Sequence, residues 1–371
     1  MFVIAIAELG HSLSDDITPL GALKFMALFI PIWRVWVHHT YYADRFDPDD
    51  SVHRLLTFAQ MIAIAILAAS VHAAVAATDN TSIQFALSLV AVRVLLIVMY
   101  NRARPIETSR PLVNRLVLTL SVGAALWFVS VFIPLPWRYL VWALALVSEI
   151  TLSYLPSTRA IFAAMPVSHT HVPERFGLFT IIFLGESIAG MVAGLTEHDF
   201  EIIPYAIAIL GFLITFSLWW LYFGNVKETA LERLGVWSGS WIYLHLPFMM
   251  GLAALGVAIE HAIASDVEHA MEAPTVYLLS GTLALVFSAL GYLHVILSRF
   301  EEKPHNRPQA NWRFTAAGLT LLIGYFIAAT EGSPLLLLIL LGGLTLFQVV
   351  GDLFIHLVPE VEDNSASFPF S

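Results

Sequence analysis

The sequence predicts an all-α polytopic membrane protein, a helix bundle with about twelve transmembrane helices. Of its 371 residues, 58% are hydrophobic and only 12% are charged, whereas a soluble domain has about 25% charged residues. The mean hydropathy is +0.78. Helices are expected because backbone groups in a bilayer must be hydrogen-bonded without water. The chain has no cysteine, which excludes disulfides and thiolate metal sites.

Apolar stretches separated by polar breaks define the predicted spans. Most are close to the roughly 20 residues that cross about 30 Å of hydrocarbon, and the first is shorter. The spans cover residues 1–14, 20–42, 54–77, 82–100, 112–133, 137–154, 174–195, 202–224, 237–262, 274–298, 312–330 and 334–357.

The basic residues predict the orientation. If alternate loops face opposite sides, fourteen of the 18 lysines and arginines share the side of the N-terminus. The other side has only Lys24 and Arg138, while Arg34 and Arg93 lie within spans. Cytoplasmic loops are enriched in Lys and Arg, so we expect both termini to be cytoplasmic.

Similar segments in the two halves predict an internal repeat. The aromatic run that ends at Tyr42 resembles the run Ser217–Phe223, and each is followed by a charged loop and an alanine-rich helix. A chance likeness between tryptophan-rich helices is the alternative. Two six-span repeats would be parallel, because each has an even number of spans. The predicted units are repeat 1–154, cytoplasmic connector 155–172, repeat 173–358 and a disordered acidic tail, 359–371.

Arg93 lies in the middle of a span that has no other charge. A charge at the centre of a membrane costs about 2.5–3.5 kcal/mol on insertion scales, so it must be paired or reach water. Glu149, Glu186 and Glu260 are the candidate partners. The pair would either hold helices together or act as a charge gate.

The second span combines Arg34 with His38 and His39 near its predicted cytoplasmic end. Arg34 and His38 are four residues apart and therefore share a helix face. Such residues either anchor the helix at the interface or line a pathway.

The seventh span starts with Glu174 and Arg175 and contains Glu186 among small residues, including Gly185 and Gly190. Small residues allow helices to approach closely. We therefore expect Glu186 to face other helices rather than lipid, and it is our first candidate for a functional residue. Alternating access at a repeat interface would place Glu186 and Arg93 near a shared axis.

Further candidates occur near the ends of other spans. Glu260 and His261 end the ninth span. Asp352 and His356 in the last span are four residues apart, a spacing at which the carboxylate can orient the imidazole. These residues complete the predicted ion or substrate pathway.

Glu8 and His11 in the first span are weak candidates for a metal site. They have the Glu-x-x-His spacing of di-iron bundles, which need a second such pair on facing helices. No other span contains one. A hydrogen-bonded structural pair is the alternative.

The run His171–Ile188 resembles the signature segment of the bacterial low temperature requirement protein A family. Tyr41–Asp50, Trp219–Phe223 and Glu260–Ile263 also match it. The resemblance covers nearly the whole chain and implies a bacterial inner-membrane protein, but it implies little about chemistry. Family members usually begin the first span with Glu-Leu-Phe-Phe-Asp-Leu, which this sequence lacks before Phe2–Ile6. We therefore expect the first span to be incomplete.

A second resemblance is to endolysosomal potassium channels with duplicated six-helix repeats. Phe2–Ile6 and Trp36–His39 are similar to their first and second helices, although the Phe-Ser-Asp element is absent. By this analogy Ile4 and Ile6 are candidates for a pore constriction, since rings of apolar side chains can gate a pore by dewetting.

These features favour a transporter or channel for an ion or a small polar solute. The alternatives are a membrane-embedded stress or regulatory factor, or a metal- or haem-binding membrane enzyme. No His-Glu-x-x-His or Gly-x-Ser-x-Gly motif supports an enzyme. We predict no cofactor and no nucleic-acid partner; the expected partners are the bilayer and the solute, and a homo-oligomer is left open.

Overall fold

A computed structural model of the chain describes residues 2–46, 50–75, 79–196, 198, 200–224, 238–265, 270–299 and 306–357. That part contains thirteen α-helices and no strand. In chain order they are α1 (Phe2–Ser14), α2 (Pro19–Phe46), α3 (Ser51–Val75), α4 (Asp79–Arg102), α5 (Arg110–Ser130), α6 (Trp137–Tyr154), α7 (Pro156–Ala164), α8 (His171–Thr196), α9 (Ile202–Phe223), α10 (Ser238–Ala264), α11 (Ala273–Leu297), α12 (Asn306–Ala329) and α13 (Pro334–Leu357).

The helices are those of a multi-pass membrane protein. Within the described ranges, ten are long and apolar enough to cross a bilayer, and α6 with α7 would add an eleventh. Helix α1 is apolar but shorter, with 13 residues. Large apolar side chains such as Phe132, Ile209 and Leu322 cover the outside. In water such a surface would drive aggregation, whereas in lipid it is the expected exterior.

Neighbouring helices in the chain pack against each other in both halves. In the first half α1 packs on α2 and α3, and α3 to α6 pack in sequence. In the second half α8 packs on α9 and α10, and α10 to α13 pack in sequence. The halves meet where α1 and α2 contact α8 and α10. Helix α10 is the most buried span, with 78% of its window inside the protein.

A sharp elbow separates α6 from α7. The two helices meet at an angle of 60°. Leu155 between them has an extended conformation, with φ −56° and ψ 143°, because the following Pro156 disfavours helical geometry in the residue before it. The elbow brings Phe162 of α7, within the region predicted as a connector, against Tyr41 and Arg45 near the end of α2. The predicted C-terminal tail lies outside the described residues.

Candidate functional site

A buried cluster of charges joins three of the spans. Glu149 on α6 is fully buried, and its Oε1 lies 2.8 Å from Nε of Arg93 on α4. Its Oε2 lies 3.7 Å from Nε of Arg34 on α2. Of the three partners considered for Arg93, the structure therefore selects Glu149. Two guanidinium groups share one carboxylate, so the cluster has one formal positive charge in excess.

Small and aromatic residues on α5 make room for this cluster. A Cβ atom on Gly123 would overlap the carboxylate of Glu149, so the glycine leaves the space that this side chain occupies. The Arg93 guanidinium lies 5.5 Å from the ring centroid of Trp127. A cation over an indole face is attracted by its quadrupole, so Trp127 also stabilises Arg93.

Arg34 also extends the cluster toward α10. Its Nη2 lies 3.1 Å from Nε2 of His38, one turn away. Its Nη1 donates a hydrogen bond to the hydroxyl of Tyr243 on α10, and its guanidinium lies 5.6 Å from the Tyr243 ring centroid. Arg34 thus has a carboxylate, an imidazole and a phenol around it.

A cavity of about 510 Å³ lies directly against Arg34. Small-molecule sites are typically about 300–1,000 Å³. The cavity is enclosed by α2, the α6–α7 elbow, the segment before α8 and the start of α10. Its walls are formed by Arg34, His38, Tyr41, Arg45, Ser153, Tyr154, Arg159, Phe162, Ala163, Pro166, Val167, His169, Ser238, Gly239, Ser240, Ile242 and Tyr243. None of these residues is acidic.

One wall is a chain of cations and aromatic rings in contact with one another. Exposed Arg159 lies 5.8 Å from the ring centroid of Tyr154. The rings of Tyr154 and Tyr243 are 5.5 Å apart, and Tyr243 contacts Arg34. This wall runs from the surface of the protein to the buried cluster.

A second wall is one face of α2. Arg45 lies 5.2 Å from the ring centroid of Tyr41, which lies edge-on to His38 at 6.4 Å, and His38 contacts Arg34. Positions 34, 38, 41 and 45 recur at the spacing of one helix face. The Arg45 guanidinium donates to the Met165 carbonyl at 3.3 and 3.2 Å.

Two cations of this cavity lack an acidic partner. Among the described residues, no carboxylate pairs with Arg45 or Arg159. Both arginines were expected to be loop cations, although the spacing of Arg34, His38, Tyr41 and Arg45 on one helix was a usable signal for this face. Arg, His and Tyr side chains that converge on a cavity without acids can bind an anion.

His39 faces a different cavity, because adjacent residues of a helix point in different directions. It lines a space of about 320 Å³ together with Arg175 and Gln60. The structure thus separates the predicted pair: His38 belongs to the first cavity and His39 to the second. Glu174, beside Arg175, is exposed.

Glu186 lies half-buried on α8, beside a cleft that it shares with Ile6 and Phe183. The cleft is too narrow for a water molecule. Ile4 is 49% exposed and Ile6 is buried, so the two isoleucines of the predicted pore constriction have different surroundings. The observed interhelical contacts of Arg93 are with α5 and α6 instead, and the structure does not bring Arg93 and Glu186 into one set of contacts.

Glu260 and His261 lie where α1, α8 and α10 meet. The hydroxyl of Ser14 is 2.7 Å from Nε2 of His261. Glu260 lies close to Gly190, where an added Cβ would come within 3.2 Å of its Oε2. This close approach fits the small-residue packing expected for α8.

Arg313 and Asp352 form a second buried ion pair. The pair was not predicted, because Arg313 was expected to be a loop cation. Arg313 is fully buried in α12. It binds the carboxylate of Asp352 and donates to Oε1 of Gln348 at 2.7 Å. Asp352 therefore has a cationic partner from another helix. The side chain of His356 lies outside the described residues.

Arg138 was also expected to be a loop residue. It is buried, and it donates a hydrogen bond to the Ser130 carbonyl at 3.1 Å.

Glu8 and His11 do not form part of a larger ligand set. Within the described residues, no group of three or more His, Cys, Asp or Glu side chains is placed to hold a metal ion. His11 is exposed and Glu8 is half-buried. A metal site at this position would need ligands beyond these two.

The comparison with known proteins agrees with the resemblance in the sequence. A curated relative is an uncharacterized protein, RA0937, of Rhizobium meliloti (strain 1021), which is 28% identical over 284 residues. The match covers 71% of this chain and 67% of the relative. The family model for the bacterial low temperature requirement A protein (LtrA) matches residues 1–351. The chain is therefore a multi-pass membrane protein that belongs to the LtrA family.

Proposed function

We propose that this LtrA-family protein is a transporter or channel for an ion or small polar solute in the bacterial inner membrane. The observation that carries the proposal is the cavity of about 510 Å³ against the buried Arg34–Glu149–Arg93 cluster. Ionisable residues within membrane spans are costly, and they commonly mark substrate or ion pathways.

The composition of the cluster supports a pathway over simple helix bonding. A structural ion pair needs one acid for each base, as in Arg313 with Asp352. Here the carboxylate of Glu149 is shared by two arginines, and one of them borders the cavity. The excess charge is stabilised if the cavity holds water or a solute.

We further propose twelve spans in two parallel six-helix repeats, 1–154 and 173–358. The ten long helices become twelve if the bent pair α6–α7 and the short α1 are included. The packing pattern supports this division. The pairs α1–α3, α3–α4, α4–α5 and α5–α6 have counterparts in α8–α10, α10–α11, α11–α12 and α12–α13.

The orientation with cytoplasmic termini gives the cavity a direction. Its residues come from the end of α2, the elbow after α6 and the start of α10. In that orientation all three are on the cytoplasmic side, where most of the basic residues lie. The cavity would then open to cytoplasmic solutes.

Reconstitution into liposomes tests the proposal. Purified protein should carry protons, potassium, amino acids or small anions at rates above those of empty vesicles. Tyr243→Phe keeps the ring but removes the hydroxyl that binds Arg34, so it should lower the flux while the protein still elutes as a folded species. Arg104→Gln changes an exposed arginine outside the cavity and serves as the control.

Glu186→Gln separates the two roles considered for that residue. Lost flux with normal expression would place Glu186 in the pathway, whereas lost protein would assign it to packing. Flux no greater than that of empty vesicles, with folded protein and every solute tried, would refute a transporter or channel.

A further inference from the structure

We infer that the cavity beside Arg34 binds a small oxyanion, a carboxylate- or phosphate-bearing group held by Arg34, Arg45 and Arg159. The inference names the ligand class for the proposed transport site and rests on the proposed function for its physiological role. Binding itself does not require transport and can be measured separately.

The charge of the lining is the first argument. Among the residues that the structure describes, the cavity is lined by three arginines and two histidines, and by no aspartate or glutamate. Glu149 lies behind Arg34, where it also pairs with Arg93. Asp44, next to Arg45, accepts a hydrogen bond from the Ser168 N–H at 3.0 Å behind another wall. The three arginines of the described lining outnumber these two nearby acids. A potassium ion would be repelled from this lining, whereas an anion is attracted.

The second argument is the choice of donors. Guanidinium groups offer paired N–H donors that match the geometry of carboxylate and phosphate oxygens. Tyr154, Ser238 and Ser240 add hydroxyl groups to the same walls. Arg45 has only backbone carbonyls and aromatic rings as partners in the described structure. Its charge is thus available to a ligand.

The third argument is the gradient of burial. Arg159 is exposed, Arg45 is half-buried and Arg34 is only 2% exposed. An anion that enters past Arg159 finds a further cation at each depth. With about 510 Å³, the cavity also accommodates more than a bare halide ion, since it is within the range of sites for small organic molecules.

Two sources supply this chemistry: a free solute, or the phosphate of an anionic lipid headgroup. The test uses purified protein in nanodiscs of phosphatidylcholine alone and in nanodiscs that contain phosphatidylglycerol. Calorimetric titration with sodium phosphate and with sodium succinate, against sodium chloride of equal ionic strength, measures free anions. Native mass spectrometry measures retained phosphatidylglycerol.

We expect saturable binding of phosphate or succinate that weakens by about tenfold to a hundredfold in Arg45→Gln, the range for loss of one charge-assisted hydrogen bond. Arg159→Gln, at the exposed end, should weaken it in the same direction without disturbing the core. Arg104→Gln should leave it unchanged. Retention of phosphatidylglycerol that is lost in Arg45→Gln, without binding of free anions, supports the same site with a lipid as its ligand.

The inference is overturned if wild-type protein binds none of these probes. It is also overturned if Arg45→Gln and Arg104→Gln bind them equally well. Anion binding without flux would leave the inference standing and reject transport. Flux that does not depend on Arg45 or Arg159, together with a lack of anion binding, would reject the inference and leave transport standing.

Discussion

Among the described residues, Glu149 is the single acid that neutralises the buried cluster, so its replacement should be unusually damaging. At an effective dielectric constant of about 20, charges at the observed 2.8 and 3.7 Å attract by about 6 and about 4.5 kcal/mol. Desolvation offsets part of this energy, and breaking a buried pair typically costs about 3–5 kcal/mol. Glu149→Gln should therefore lose about that much stability, because it leaves two buried guanidiniums unpaired.

Arg93→Gln is the matched variant. It removes the excess charge and leaves Glu149 with Arg34, so we expect a smaller loss of stability. At about 2 °C per kcal/mol for a chain of more than about 200 residues, Glu149→Gln should lower the melting temperature by about 6–10 °C. Size-exclusion chromatography of detergent-solubilised protein after a heating series measures this melting temperature. Equal melting temperatures for Glu149→Gln and Arg93→Gln would refute this account of the charges.

Two further predictions concern packing and an exposed pair. Gly123→Ala should destabilise the protein by about 1–3 kcal/mol, because the new Cβ overlaps the carboxylate of Glu149; Gly318→Ala, with nothing within 4 Å, should be neutral or stabilising in a heating series. The Asp50 carboxylate accepts hydrogen bonds from the His53 N–H and from Arg102, which lower its pKa below the ordinary 3.8. Its small contribution to stability should be present above that pH and lost as the pH falls through the folded-state pKa, so wild type and Asp50→Asn should converge there; a difference that grows in acid would contradict this.

The candidate site was partly predictable from sequence. The mid-span position of Arg93 required a buried acid, and Glu149 was one of three candidates. The spacing of Arg34 and His38 predicted their contact on one helix face. Local spacing was sufficient in this case because both residues belong to the same helix.

Other features depended on contacts between helices that are distant in the sequence. Arg93 and Glu149 are separated by 56 residues, and no local pattern distinguishes Glu149 from Glu186 as the partner. Arg45 and Arg159 looked like ordinary loop cations, because their shared cavity exists only when the α6–α7 elbow folds over the end of α2. Arg313 was missed for the same reason, since its partner Asp352 comes from another helix.

The sequence by itself determined that this is an all-helical multi-pass membrane protein of the LtrA family. That information is local: the length and apolarity of each run decide whether a segment prefers lipid to water. Only the tertiary structure decided which acid neutralises Arg93, which histidine faces which cavity and which arginines converge on one cavity. These outcomes depend on how helices pack side by side, and membrane helices are matched by the shape and polarity of whole faces rather than by hydrophobicity.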